Sequence, residues 1–283
     1  MTININSLPG GGAEITGVDI ASGLSGAELT RIRECFAEQG LVFFRDQKLT
    51  EENHITFARE FGEININRFF AANDNYPEIA MVTKEPDQTT NIGGGWHTDH
   101  SYDPEPALGS ILVARELPDS GGDTWFANMY KAYESLSAGL QKTLERLSAV
   151  HSAQHVFGKD AQYNSDRLSN GRIGNAEAAN GLKDPIHPVV ISHPLSGRRA
   201  LYVNPAFTLH FDGWSAEEST PLLNYLYEHA VNDNCVTRFQ WAPGSIAFWD
   251  NRATWHFAQN DYPGQRRVMH RITIEGCSLN AAS

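Results

Sequence analysis

Apolar positions along this chain switch between two periods. Ile3–Leu8 and Ala13–Val18 read as short strands on either side of the Gly10–Gly12 turn. Ser25-Gly-Ala-Glu28 is a capping box, and Leu29, Ile32, Cys35 and Phe36 follow it at helical spacing. Leu41–Phe44 is a continuous apolar run that suits a buried strand, and Thr50 opens a second helix to about Phe61. Tyr133, Leu136, Leu140, Leu144 and Leu147 form one stripe, which predicts a single helix over Tyr130–Leu147. Ser215-Ala-Glu-Glu218 caps another helix, to about Val231. Strand-like pieces fall at Ser110–Ala114, Ala200–Val203, Thr237–Trp241, Ser245–Trp249 and Val268–Ile274.

This pattern predicts a mainly β fold with flanking helices (α+β), a sandwich or barrel of short strands, as a single domain over residues 1–283. Residues 158–185 differ, being rich in Asn, Gly, Asp and Ala. They read as a surface excursion, either a lid or an insert without function.

Composition narrows the partners. Lys+Arg total 22 against Asp+Glu 34, a net charge of −12, which argues against a nucleic-acid partner but leaves room for a local basic pocket. Cys35, Cys235 and Cys277 form no CxxC pair, so a reduced, cytoplasmic setting is expected. No apolar run approaches the ~18 residues of a membrane span, and Met1–Pro9 lacks the basic and apolar regions of a signal peptide. No GxSxG, HExxH, GxGxxG or P-loop motif occurs, which removes the common hydrolase and nucleotide-binding readings. His151 and His155 stand four apart, at the spacing of one helix face.

The chemistry concentrates in Trp96-His97-Thr98-Asp99. In an extended segment His97 and Asp99 project to one side and can offer an imidazole nitrogen and a carboxylate oxygen to one ion. With a distant histidine, best supplied by His256 in Trp249-Asp-Asn-Arg-Ala-Thr-Trp-His256, they would complete a 2-His-1-carboxylate triad. Arg267 and Arg271 share one strand face. They are either exposed on an edge strand or turned inward, where guanidiniums are costly unless they meet anions. A dicarboxylate co-substrate would suit the bidentate fork of one of them.

These residues, with Gly17-Val-Asp19, Phe43-Phe-Arg-Asp46, Gly121-Gly-Asp-Thr124, Tyr202-Val-Asn204 and Arg266-Arg-Val-Met-His-Arg271, carry a resemblance. The chain resembles the taurine dioxygenase family of Fe(II)- and 2-oxoglutarate-dependent oxygenases, which includes chlorophenoxyalkanoate dioxygenases and alkylsulfatases, over roughly Gly11 to Gly276. The resemblance implies a double-stranded β-helix, a distorted jelly roll. It implies His97, Asp99 and His256 as catalytic iron ligands, and Thr124 and Arg267 as the grip on the distal carboxylate of 2-oxoglutarate. It places Arg271 against the anionic group of the substrate, and Phe157 and Phe207 in the substrate pocket. Fe(II), 2-oxoglutarate and O2 are the implied cofactor and co-substrates, succinate and CO2 the co-products, and a dimer or tetramer the implied assembly.

Asn67, Phe70 and Gly93 stand where taurine dioxygenase has a His, a Tyr and an Asn around its substrate. Their loss of polar groups predicts a larger, more apolar small molecule with one anionic group, not taurine. Two rivals remain: a Zn(II) hydrolase on the same ligands, and a non-catalytic binding protein.

Overall fold

Side-chain caps and short apolar runs set the element boundaries. The computed structural model describes residues 2–159, 161 and 176–282. The chain opens with β1 (Asn4–Ser7), β2 (Ala13–Thr16), α1 (Gly26–Gln39), β3 (Leu41–Phe44), α2 (Glu51–Arg59), β4 (Ile64–Asn65) and β5 (Ala80–Lys84). β6 (Gly109–Glu116) and β7 (Thr124–Asn128) lead into α3 (Met129–Glu134), α4 (Ala138–Leu144), β8 (Ser148–His151) and α5 (Gln154–Phe157). Next come α6 (Ala176–Asn180), β9 (Ile186–Pro188), β10 (Val190–Ser192), β11 (Arg199–Leu201), β12 (Thr208–Phe211) and α7 (Ala216–Ala230). The chain closes with β13 (Val236–Phe239), β14 (Ile246–Asp250), β15 (Thr254–Ala258), β16 (Arg267–Ile274) and β17 (Asn280–Ala281). The molecule is mainly β with flanking helices.

The larger sheet has eight strands in the order β1-β2-β3-β14-β6-β16-β4, with β5 also paired to β16. β13-β7-β15 forms a three-stranded sheet. β3 explains why its apolar run is unbroken. Val42 and Phe44 join Ile32 and Phe36 of α1 and Phe57 of α2 in one core cluster, whereas Leu41 and Phe43 join Phe126 and Phe239 of the smaller sheet in another. Successive side chains point to opposite faces, and both faces here are covered. Phe36 stacks on Phe248 at 3.9 Å, and Phe43 stacks on Phe239 at 4.0 Å. Burying each such ring contributes about 1.5–3 kcal/mol.

Several expectations need correction. The single helix over 130–147 is two, because Ser137 caps a new start by accepting a hydrogen bond from the Leu140 amide. Serine hydroxyls compete with helical bonding and favour such breaks, and the apolar stripe is blind to it, since Tyr133, Leu136 and Leu144 are all buried. His151 ends β8 while His155 lies in α5, so they share no helix. Arg267 and Arg271 are not on an edge: β16 pairs with β6 on one side and with β4 and β5 on the other, and every residue of it is buried. Of the proposed excursion, residues 160 and 162–175 lie outside the described residues; Ala179 of α6 packs with Phe69, Tyr102 and Phe207. No described helix is long and apolar enough to cross a membrane.

β16 therefore presents Arg267, Met269 and Arg271 to one face and His270 to the other. His270 accepts a hydrogen bond from Arg115 Nε at 3.1 Å, next to the fully buried His54 of α2. Burial, reinforced by Arg115, pushes His54 down to about 3 and His270 down to about 4. Both stay neutral in the fold while the unfolded chain protonates around its ordinary value of 6.5. The stability linked to them is present above that value and is lost as pH falls toward the folded-state values. The urea midpoint is expected to drop from about pH 7 to about pH 4.5, and His54→Phe to flatten that drop; a wild-type midpoint constant over this interval contradicts the account.

Candidate metal and substrate site

The site is assembled by one backbone bridge. The loop after β5 runs beside β15, where the His97 amide donates to the His256 carbonyl at 3.1 Å and the His256 amide donates to the His97 carbonyl at 2.8 Å. The imidazole centroids are 4.0 Å apart. Asp99 completes the cluster, Oδ1 lying 3.8 Å from His97 Nε2 and Oδ2 3.8 Å from His256 Nε2. The three ligand atoms lie within 4.8 Å of one another; among the described residues no other group of His, Cys, Asp or Glu meets that geometry.

Protonation suits a cation. The Gly95 carbonyl is 2.8 Å from His97 Nδ1. A carbonyl only accepts, so Nδ1 carries a hydrogen, and in the neutral ring Nε2 is the nitrogen with a lone pair to offer. Burial, then the neighbouring His97, push His256 well below its ordinary value, although Asp99 opposes this. Burial alone would raise Asp99, but Arg271, then His256 and His97, outweigh it and hold the carboxyl well below the usual range. A neutral His256 imidazole and an ionised Asp99 carboxylate are protonation states that bind a divalent metal.

The surroundings fix these ligands. Thr98 Oγ1 donates to the Asn251 carbonyl, and Trp249 Nε1 donates to Asn251 Oδ1 at 2.9 Å, tying the His97 loop to the turn before β15. That turn is clipped to the end of α1, where the Gly40 carbonyl accepts from the Asp250 amide and Thr254 Oγ1, both at 2.8 Å. Buried Asp250 pairs with Arg252 at 2.7 Å and His193 at 3.0 Å. Gly93 has φ +75°, and a Cβ there would come within 3.2 Å of His97 Cε1.

A recess beside the triad is lined by Thr124, Arg267 and Arg271. Arg267 Nη2 reaches Thr124 Oγ1 at 3.5 Å, while its buried Nε has no partner. Arg271 Nη1 donates to Asp99 Oδ2 at 3.0 Å, its guanidinium lies 4.2 Å from the Phe70 ring centroid, and its Nε and Nη2 are buried and unpartnered.

In front of the triad lies a cavity of about 470 Å³, in the range that holds drug-sized ligands. Phe70, Gly93, Phe157 and Phe207 line it, as do Tyr102 and Trp96, which the sequence reading did not single out. Their signal was proximity to the HxD pair. Asn67 is absent from this lining; its Oδ1 accepts from the Phe69 and Phe70 amides at 2.9 and 3.1 Å, a turn that sets Phe70 in place.

Comparison with known proteins agrees with this arrangement. A family described as "Taurine catabolism dioxygenase TauD, TfdA family" matches residues 4–273. The chain belongs to that family. An alkylsulfatase of Acinetobacter baylyi is 34% identical, the match covering 94% of this chain and 82% of the relative. An (S)-phenoxypropionate/alpha-ketoglutarate-dioxygenase of Sphingobium herbicidovorans is 31% identical, covering 94% and 92%. A solved taurine dioxygenase of Burkholderia xenovorans superposes with TM-score 0.81 at 33% identity, covering 99% of this chain and 92% of that one. A structure of AAD-2 in complex with Mn(II) and N-oxalylglycine superposes with TM-score 0.78 at 27% identity, covering both chains fully.

For this TauD/TfdA member, Gly93→Ala would strain the left-handed backbone and crowd His97. Changes just outside the ligands typically cost 10–100-fold in metal affinity. Calorimetric titration with Co(II) is expected to give a Kd raised by about tenfold; an unchanged Kd would refute the role assigned to the close approach.

Proposed function

We propose that the protein is an Fe(II)- and 2-oxoglutarate-dependent dioxygenase that oxidises a C–H bond of a small, partly apolar organic anion, with succinate and CO2 as co-products. The observation that carries this is the convergence of His97, Asp99 and His256 within 4.8 Å, beside two buried guanidiniums with unused donors. His97, Asp99 and His256 would hold Fe(II), and the donor set fits it: two nitrogens and one oxygen, leaving positions open. Arg267 and Thr124 would grip the distal carboxylate of 2-oxoglutarate. When bound, Fe(II) activates O2 with electrons from decarboxylation of 2-oxoglutarate.

The protein's own part is placement. Arg271 would aim the anionic group of the substrate, while Phe70, Gly93, Phe157 and Phe207 would enclose its apolar body, with Asn67 acting through the turn that seats Phe70. Relatives named for sulfate esters and for phenoxypropionate support an anionic head on an apolar body. The two facing sheets, with His256 on β15 of the smaller one, support a double-stranded β-helix as one catalytic domain. The reading extends to a dimer or tetramer, and the buried thiols of Cys35 and Cys235 suit a reducing cytoplasm.

Purified protein with Fe(II), 2-oxoglutarate and air is expected to release succinate when offered alkyl sulfates or aryloxyalkanoates, and far less with taurine. His256→Ala should reduce this by at least about a thousandfold, as expected for loss of an essential catalytic group. Turnover that persists without oxygen and survives Arg267→Ala would favour a Zn(II) hydrolase instead.

A further inference from the structure

Thr124 Oγ1 has two described neighbours within hydrogen-bond reach, and both can only donate. Trp241, in the segment between β13 and β14, brings its indole Nε1 to 2.9 Å from this hydroxyl. Arg267 Nη2 approaches it at 3.5 Å. An indole N–H and a guanidinium have no acceptor to give. A threonine hydroxyl has two acceptor lone pairs and one hydrogen. With its lone pairs turned to Trp241 and Arg267, its hydrogen must point away from both. All three groups are buried: Thr124 is 2% exposed, Arg267 4% and Trp241 8%. The Arg267 guanidinium also lies 5.8 Å from the Trp241 ring centroid, and its Nε has no partner. The recess beside the triad is thus lined by donors on this side.

We propose that Trp241 is a positioning residue: its indole N–H occupies the acceptor side of Thr124 and makes that hydroxyl an obligate donor, so that the recess selects an acceptor-only group, a carboxylate, at the far end of the co-substrate. The proposal rests on the functional reading above and adds to it a residue that touches neither metal nor co-substrate. Without the indole N–H, the Thr124 hydroxyl is free to rotate. It then can present either a lone pair or its hydrogen, and part of the preference for a second carboxylate is lost.

The test uses the Co(II)-loaded protein without oxygen. Affinities are measured by calorimetry for 2-oxoglutarate and for 2-oxobutanoate, which keeps the 2-oxo acid but lacks the distal carboxylate. Trp241→Phe keeps an aromatic ring and removes the donor. It is expected to weaken 2-oxoglutarate by about tenfold, the scale of one hydrogen bond to a charged group. Affinity for 2-oxobutanoate and for Co(II) should not move, which separates positioning from damage to the fold. In a Thr124→Val background the same substitution should add nothing, because the two residues act through one hydroxyl. Wild-type protein that binds both acids equally would overturn the functional reading of this recess, and the proposal with it. A wild-type preference that survives Trp241→Phe, or an equal loss in the Thr124→Val background, would overturn the role of Trp241 alone.

Discussion

Two backbone hydrogen bonds between residues 97 and 256 are the constraint on which the site depends. They join a loop to a strand far along the chain, and they bring the two imidazoles together at 4.0 Å between centroids, tilted by 48°. The His256 ring is also held from behind. Trp249 lies 4.6 Å and Phe126 6.3 Å from the His256 ring, centroid to centroid, and both belong to the core between the sheets. Ordering a side chain costs up to about 2 kcal/mol. Here that cost is met during folding, by aromatic packing, so metal binding need not meet it again.

The same core tolerates an arrangement that works against stability. Arg267 and Arg271 are buried with donors unused, and such groups are expensive in a low-dielectric interior. Arg271 is partly compensated by Asp99, and Arg267 has Thr124 at 3.5 Å, the face of Trp241 and the more distant charge of Asp123. The network around Asp250 is the contrast: its carboxylate is met by Arg252 and His193, and it anchors a turn. Satisfied charges hold the scaffold, and unsatisfied ones mark the place where a ligand supplies what is missing.

What the sequence made legible follows period and motif. The HxD pair and the alternating Arg267, Met269 and Arg271 were readable because strand geometry puts residues two apart on one face. The unbroken run of β3 was readable because both of its faces are covered. Pairing of loop 97 with β15 was not readable, since nothing local in either segment specifies the other. Nor was the clamp of Thr98 on Asn251, or the indole of Trp241 on Thr124, because each depends on a contact between distant segments. The break between α3 and α4 escaped because Ser135 and Ser137 lie off the apolar stripe. Asn67 was placed in the pocket by its position in the family pattern, whereas its carboxamide oxygen is used in a local turn and its Nδ2 is buried without a partner.

Charge balance connects these parts. Beside the triad two guanidiniums stand against the Asp99 carboxylate, with Asp123 also acting on Arg267. A divalent cation on the triad would add positive charge that anionic ligands would offset. A buried, largely apolar cleft penalises any uncompensated charge, so the filled site is favoured over each partly filled one. The charge of the protein's own residues thus favours anionic ligands over neutral ones. The ion pair between Arg271 and Asp99 fits the same logic, since it lowers the electrostatic cost of the pocket until metal and anions arrive to share those two groups.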